Sequence, residues 1–319
     1  MQISPRQTPV RESMIPKQSG KSAEVTALAR RNVWRFWSGA CFAILLTAAF
    51  AQPLLTLMRY AAGSSLFSYI LLVPFVSAYL LYQRRDQLPK DYTVEFPLAI
   101  LFLAVGLGAL GFIYRLNFHR QGLTDSDYLA LVTVSFLCCL GAGGFFFLGR
   151  AWMQSAAFPL AYLIFIVPMP DALTQALETA SKYASAEVAN VLFHLSGTPF
   201  LREGVIFQLP NITIEVAQEC SGIRSSLVLL MTSAVAANLF LRTPWRRFTL
   251  VALVVPLAIL RNAFRILVIG VLCVNMGPQM INSPIHRRGG PLFFILSLIP
   301  LFLMLWLLRK GDARTPQPK

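Results

Sequence analysis

FTLVALVVPLAILRNAFRILVIGVLCVN, residues 248–275, decides how the rest of the chain is read. The run is long enough to cross a membrane, for which about 20 apolar residues suffice. Yet it carries Arg261, Asn262 and Arg265. Positions 261 and 265 lie one helical turn apart, and 262 and 265 share a face. An arginine at mid-membrane costs about 2.5–3.5 kcal/mol on the insertion scale, so such residues face a bundle interior or a water-filled pocket. No Asp or Glu stands in the apolar interiors of the five candidate spans that precede this region. A structural ion pair is therefore disfavoured, and a functional pocket is expected.

The same apolar texture runs through most of the 319 residues: 56% are hydrophobic and 13% charged. A soluble domain carries about 25% charged residues, so the chain is expected to be an all-α polytopic membrane protein. Eight candidate spans fall at 36–58, 64–82, 96–114, 128–148, 152–168, 220–241, 248–275 and 290–308. They divide the chain into a disordered basic cytoplasmic tail (1–35), an N-terminal transmembrane bundle (36–168), an extracytoplasmic segment (169–219), a second membrane region of three spans (220–308) and a C-terminal cytoplasmic tail (309–319).

The net charge of +14 follows the topology. With both termini inside, the inner segments hold 18 Lys and Arg and the outer ones seven, the bias expected of cytoplasmic loops. No basic face with a stacking platform is visible, and nucleic-acid binding is excluded on that ground. Of the five cysteines, Cys41, Cys138, Cys139 and Cys273 lie inside apolar runs, as small hydrophobes do. There is no CxxC pair and no Cys/His spacing for zinc, so neither metal nor cofactor is expected. Gly141, Gly143 and Gly144 lack the Lys-Ser/Thr of a nucleotide loop and read as close helix packing.

Segment 169–219 is expected to hold an amphipathic helix on the outer leaflet, then a β-hairpin. Leu173, Ala176, Leu177, Ala180, Ala184, Val188, Val191, Leu192 and Leu195 make one apolar helical face at steps of three and four, and Gly197 ends the helix. His194, in its last turn, reads as a surface or packing residue. In 204–216, two β-branched runs flank Leu209-Pro210-Asn211.

The hairpin delivers the chain to Gln218-Glu219-Cys220-Ser221-Gly222-Ile223-Arg224-Ser225-Ser226, a polar stretch at the head of the sixth span. Cys220 falls at a helix N-terminus, where the dipole and Arg224, one turn deeper, favour a thiolate. The loop before the last span contains His286, one of three histidines. The topology puts it on the same side of the membrane as Cys220. Cysteine, arginine and histidine converging on one outer pocket would supply a nucleophile, an oxyanion or carboxylate binder and a general base.

Three motifs in order carry a resemblance: Glu219-Cys220-Ser221-Gly222-Ile223-Arg224, Asn262-Ala263-Phe264-Arg265, and His286-Arg287-Arg288-Gly289-Gly290-Pro291-Leu292-Phe293-Phe294. Together with Val167-Pro168-Met169-Pro170 and Leu195-Ser196-Gly197-Thr198-Pro199, they resemble the exosortase/archaeosortase family over about 160–308. The resemblance implies an intramembrane cysteine transpeptidase in the plasma membrane of a bacterium. Its partners would be exported proteins whose C-terminal tail holds a short motif such as Pro-Glu-Pro, a membrane helix and a basic cluster. By resemblance Cys220 is the nucleophile, Arg265 the catalytic arginine and His286 the acid or base. Arg224 and Asn262 match accompanying positions, as do Ser221, Gly222 and Gly290. Arg261 matches nothing that carries over and is expected, from its place in the span, as a substrate-binding or supporting residue. The Gly-Trp that follows the histidine in many relatives is Gly290-Pro291 here, a change that suits the first turn of a helix.

Three other readings compete. A transporter with an arginine-lined anion path would need paired half-helices or inverted repeats, and neither is seen. A polysaccharide-assembly protein would use the polar residues to hold a partner. A plain protease would use the same residues with water as acceptor.

Overall fold

The computed structural model describes residues 18–64, 66–89, 92–118, 123–210, 212–216, 222–282 and 290–313. Cys220, Ser221 and His286 lie outside the described residues. Within them the chain is mostly helical, with one three-stranded sheet.

Helix α1 (Gln18–Ala49) turns by 67° into α2 (Ala51–Gly63). Pro53 explains the bend, because its ring cannot pack under the carbonyl four residues earlier. The disordered tail expected over 1–35 is replaced by helix from Gln18 onward. The last proline of the tail is Pro16, and the run that follows is rich in helix-forming Ala, Leu and Arg. The span expected at 64–82 is interrupted: a 3₁₀ turn (Ser68–Leu72) leads into the short α3 (Val73–Gln83), which has Pro74 in its first turn.

The hairpin of α4 (Phe96–Phe118) and α5 (Asp125–Phe147) follows. A Cβ on Gly143 would stand 2.2 Å from the Phe42 ring and one on Gly141 2.9 Å from Phe102. The glycine run is indeed where helices approach closely. The region expected as span 152–168 consists of α6 (Arg150–Ser155), α7 (Ala157–Tyr162) and a 3₁₀ turn (Leu163–Ile166). It meets α8 (Asp171–Ser196) at 90° across Pro168 and Pro170. The sheet comprises β1 (Leu201–Glu203), β2 (Ile206–Leu209) and β3 (Ile212–Glu215), in the order β1-β2-β3 and antiparallel throughout. Then come α9 (Ile223–Phe240), α10 (Pro244–Ala252), α11 (Val254–Met276) and α12 (Gly290–Ala313).

Among the described residues, five stretches are long and apolar enough to cross a membrane: Phe96–Leu116, Asp125–Phe147, Ile223–Phe240, Pro244–Met276 and Gly290–Gly311. The two bent pairs raise the number to seven if each is one span. Eight spans were expected and the described residues give five to seven, because proline breaks leave 64–82 too short to cross and turn 152–168 into one arm of a bend.

Three buried clusters hold these elements together. One joins α8, the sheet and the second half of α11 through Ala189, Phe193, Phe207, Ile214, Ile266 and Cys273. A second packs α2, the 3₁₀ turn after it and α5 against Met231 of α9. The third joins α9 to α10, α11 and α12. Helix α9 thus links the two halves of the molecule. Phe193 and Phe207 are fully buried, each contributing about 1.5–3 kcal/mol. A separate apolar cavity of about 670 Å³, lined among others by Phe42, Phe102, Leu137, Cys138 and Met153, sits between α1, α4 and α5.

The α8 face turned to α11 takes only Val188 and Leu192, both partly buried, from the apolar stripe of the sequence. Ser185, Ala186, Ala189 and Phe193 are buried, whereas Leu173, Leu177, Val191 and Leu195 are exposed. Small side chains let the two helices approach, and the large ones are left facing outward.

Candidate functional site

The described part of the site is built around Gly222. It caps α9 in the left-handed conformation, φ 69°, which glycine adopts without steric cost. Its carbonyl oxygen is a meeting point. It accepts from the Ser226 amide at 2.9 Å, from Ser225 Oγ at 2.9 Å, from Ser226 Oγ at 2.8 Å and from Arg261 Nη2 at 3.1 Å. Ser226 Oγ in turn accepts from the same Arg261 nitrogen at 3.1 Å. The middle of α11 is thereby tied to the first turn of α9.

The glycine is required by space as well as by φ. A Cβ at 222 would stand 3.0 Å from Arg261 Nη2 and 3.5 Å from Asn262 Oδ1. Asn262 is 3% exposed, and its Nδ2 donates to Ser185 Oγ of α8 at 3.0 Å. Residues 261 and 262 therefore serve as a bracket, one reaching α9 and the other α8.

Arg261 is 8% exposed. Its second terminal nitrogen, Nη1, is buried without a hydrogen-bond partner among the described residues. The ion pairs among the described residues are Arg85–Asp86, Lys182–Glu215 and Arg202–Glu187, so no carboxylate there offsets the guanidinium. Arg265, one turn further along α11 and partly buried, adds like-charge repulsion.

Arg224 goes elsewhere. It is exposed and donates from Nη2 to Ser68 Oγ at 3.1 Å, tying the other side of α9 to the 3₁₀ turn after α2. His194 also stays apart, its Nδ1 3.0 Å from the Asn190 carbonyl and its ring edge-on to Phe200. At the start of α12, which opens at Gly290, Phe293 packs edge-to-face on Phe264 at 6.4 Å between centroids. The described ends of all three sequence motifs thus meet on one stretch of α11: Gly222 on Arg261 and Asn262, and Phe293 on Phe264.

The transmembrane exosortase family model (Exosortase_EpsH) matches residues 59–303. The chain belongs to the transmembrane exosortase family. The match spans about three quarters of this exosortase and reaches back over the N-terminal helices, where the sequence offered hydrophobicity and no motif. Searches of curated proteins and of solved structures return no match. Two contributors to this exosortase's site were not singled out from sequence, Ser185 and Ser226. Ser185 sits among small residues on the unremarked face of α8, and its signal was a hydroxyl at helical spacing from Ala189 and Phe193. Arg261 was expected only as a substrate-binding or supporting residue; it is the arginine in contact with the Gly222 turn.

Proposed function

We propose that the chain is a membrane cysteine transpeptidase that removes the C-terminal sorting tail of exported proteins. The observation that carries this is the Arg261–Gly222 contact, which ties the start of α9, two positions after Cys220 in the sequence, to the arginine-bearing turn of α11 in a member of the exosortase family.

The Cys220 thiolate attacks the carbonyl carbon at the sorting motif. Arg265 stabilises the oxyanion that forms. As the C–N bond breaks, His286 gives its proton to the departing amine, and the acyl group remains on Cys220 as a thioester. An acceptor amine at the cell surface then takes the acyl group and restores the thiol; with water in that place the outcome is hydrolysis. The substrate's membrane helix docks between spans from within the bilayer.

Depth supports this reading. A sheet with open edges has no place in hydrocarbon, and Phe193 and Leu209 lie directly against Gly270. That turn of α11 therefore stands at or beyond the lipid boundary. Arg265 is about 7.5 Å below it at 1.5 Å per residue, a depth where a charge costs far less than at mid-membrane. The loop charges orient the sheet outward, both termini in the cytoplasm and the site outside, in the plasma membrane of a bacterium. The exposed Leu173, Leu177, Val191 and Leu195 of α8 then rest on the outer leaflet.

Replacing Cys220 by Ala should leave a co-expressed tail-bearing protein uncut, with its apparent mass unchanged on a gel. Undiminished processing by that variant would sink the proposal.

A further inference from the structure

Arg261 carries a charge that the described residues leave unanswered. One nitrogen of its fork is committed to Gly222 and Ser226. The other is buried and unpartnered, and Arg265 repels it. A buried polar group without a partner is rare and, where it persists, calls for an absent ligand or ion. A neutral acceptor would satisfy the nitrogen and leave the charge. An anion answers both.

The donor set limits which anion. Asn262 Nδ2, next along the helix, already donates to Ser185, and the buried nitrogen of this bracket without a hydrogen-bond partner among the described residues is Arg261 Nη1. Gly222 and Asn262 Oδ1 stand against the Nη2 side of the fork. One nitrogen matches one carboxylate oxygen. It is too small a set for a phosphate, which presents three or more oxygens to be satisfied.

We infer that Nη1 of Arg261 receives an acidic side chain of the peptide being processed, which makes Arg261 a specificity-determining residue distinct from the groups assigned to the bond exchange. The inference rests on the transpeptidase reading for the identity of the peptide, and on the described geometry for the carboxylate. The Gly222 contact fixes Nη2, so the open nitrogen is held in place before the peptide arrives, and little side-chain freedom is lost on binding.

The test compares two fluorescent peptides with the full-length protein in lipid nanodiscs. One carries Pro-Glu-Pro ahead of an apolar tail and the other Pro-Gln-Pro. Binding is measured on the Cys220→Ala protein, so that no turnover intervenes. With Arg261 in place the Glu peptide should bind about 10-fold or more tighter than the Gln peptide, the scale of a hydrogen bond to a charged group. Arg261→Gln should bring the two peptides to about equal affinity. Arg261→Lys keeps the charge without the fork and should retain a reduced Glu preference, which carries the test should the glutamine variant not fold. Equal binding of both peptides by the Arg261 protein overturns the inference, as does a Glu preference that survives Arg261→Gln. A preference that emerges only after Glu219→Gln also overturns it, by giving the nitrogen to the chain's own carboxylate. Failure of the Cys220 protein to cut either peptide would remove the catalytic reading while leaving this binding comparison intact, so the two ideas fail separately.

Discussion

Nη2 of Arg261 donates to the carbonyl oxygen of Gly222 at 3.1 Å, joining positions 39 residues apart. The contact ties the helix that begins just after Gly222 to Arg261, a buried arginine that matches no motif position. It also makes the turn at Gly222 sensitive to anything that moves the guanidinium.

Gly222→Ala should therefore cost activity out of proportion to stability. A left-handed residue with a Cβ costs about 1–2 kcal/mol, and the new methyl would stand 3.0 Å from the guanidinium. Tail removal should fall about 10-fold or more, since each 1.36 kcal/mol at the transition state is tenfold in rate. Thermal unfolding of the purified protein should shift by only a few degrees. Equal activity of the variant and the parent would show that the turn is not constrained by Arg261.

Asn262→Ala removes the bond to Ser185 and leaves a hydroxyl buried without that partner. The expected loss is about 1–3 kcal/mol, seen as a lower unfolding temperature. Ser185→Ala should cost less when added to Asn262→Ala than alone, because the two share one interaction. Strict additivity would deny the contact.

At Gly270 the limit is space. An added Cβ would stand 2.6 Å from the Phe193 ring, and overpacking of this kind costs about 1–3 kcal/mol. Gly270→Ala should lower the unfolding temperature, and Phe193→Leu in the same chain should restore part of the loss. A double variant less stable than either single change would place the strain elsewhere.

Arg202 of β1 holds Glu187 of α8 through both terminal nitrogens, at 2.9 Å from Nη1 to Oε2. These hydrogen bonds hold the Glu187 carboxyl below its ordinary range. A carboxyl depressed in the folded state stabilises it above its unfolded value and loses that contribution as pH falls through the folded one. The unfolding temperature of Glu187→Gln should thus trail that of the parent at neutral pH, and the gap should close in acid below about pH 4. A gap that widens in acid would contradict the assignment.

The helical pattern was legible because apolar runs and helical periodicity are local properties of the chain. So were the glycine stop at Gly197 and the β2–β3 hairpin. The breaks were harder to read. Hydropathy averages over Pro53, Pro74 and Pro168, each of which stops or turns a helix without making the run less apolar. The strand β1 escaped notice because Leu201-Arg202-Glu203 has no alternation to show, and it forms only by pairing with β2. The face of α8 that packs on α11 was not read at all, for a different reason. In a membrane protein the largest apolar side chains can face lipid, so size is a poor guide to which face packs on protein. Arg261, Asn262 and Arg265 announced a site by their cost, but only folding shows that Arg261 faces Gly222 while Arg224 turns to Ser68.

Helix α11 outlasts its neighbour α9. From Arg261, level with the start of α9, it continues to Met276, about 22 Å further at 1.5 Å per residue, with α8 and the sheet packed along that extension. On the proposed reading this makes the protein a gauge. The shoulder formed by the sheet rests at the water boundary, the bracket of Arg261 and Asn262 hangs a fixed length beneath it, and a tail anchored in the bilayer is offered for cutting at a height the enzyme sets. The number of residues between a substrate's apolar segment and its cleavage point would then be dictated by the rigid stem of α11 rather than by the substrate.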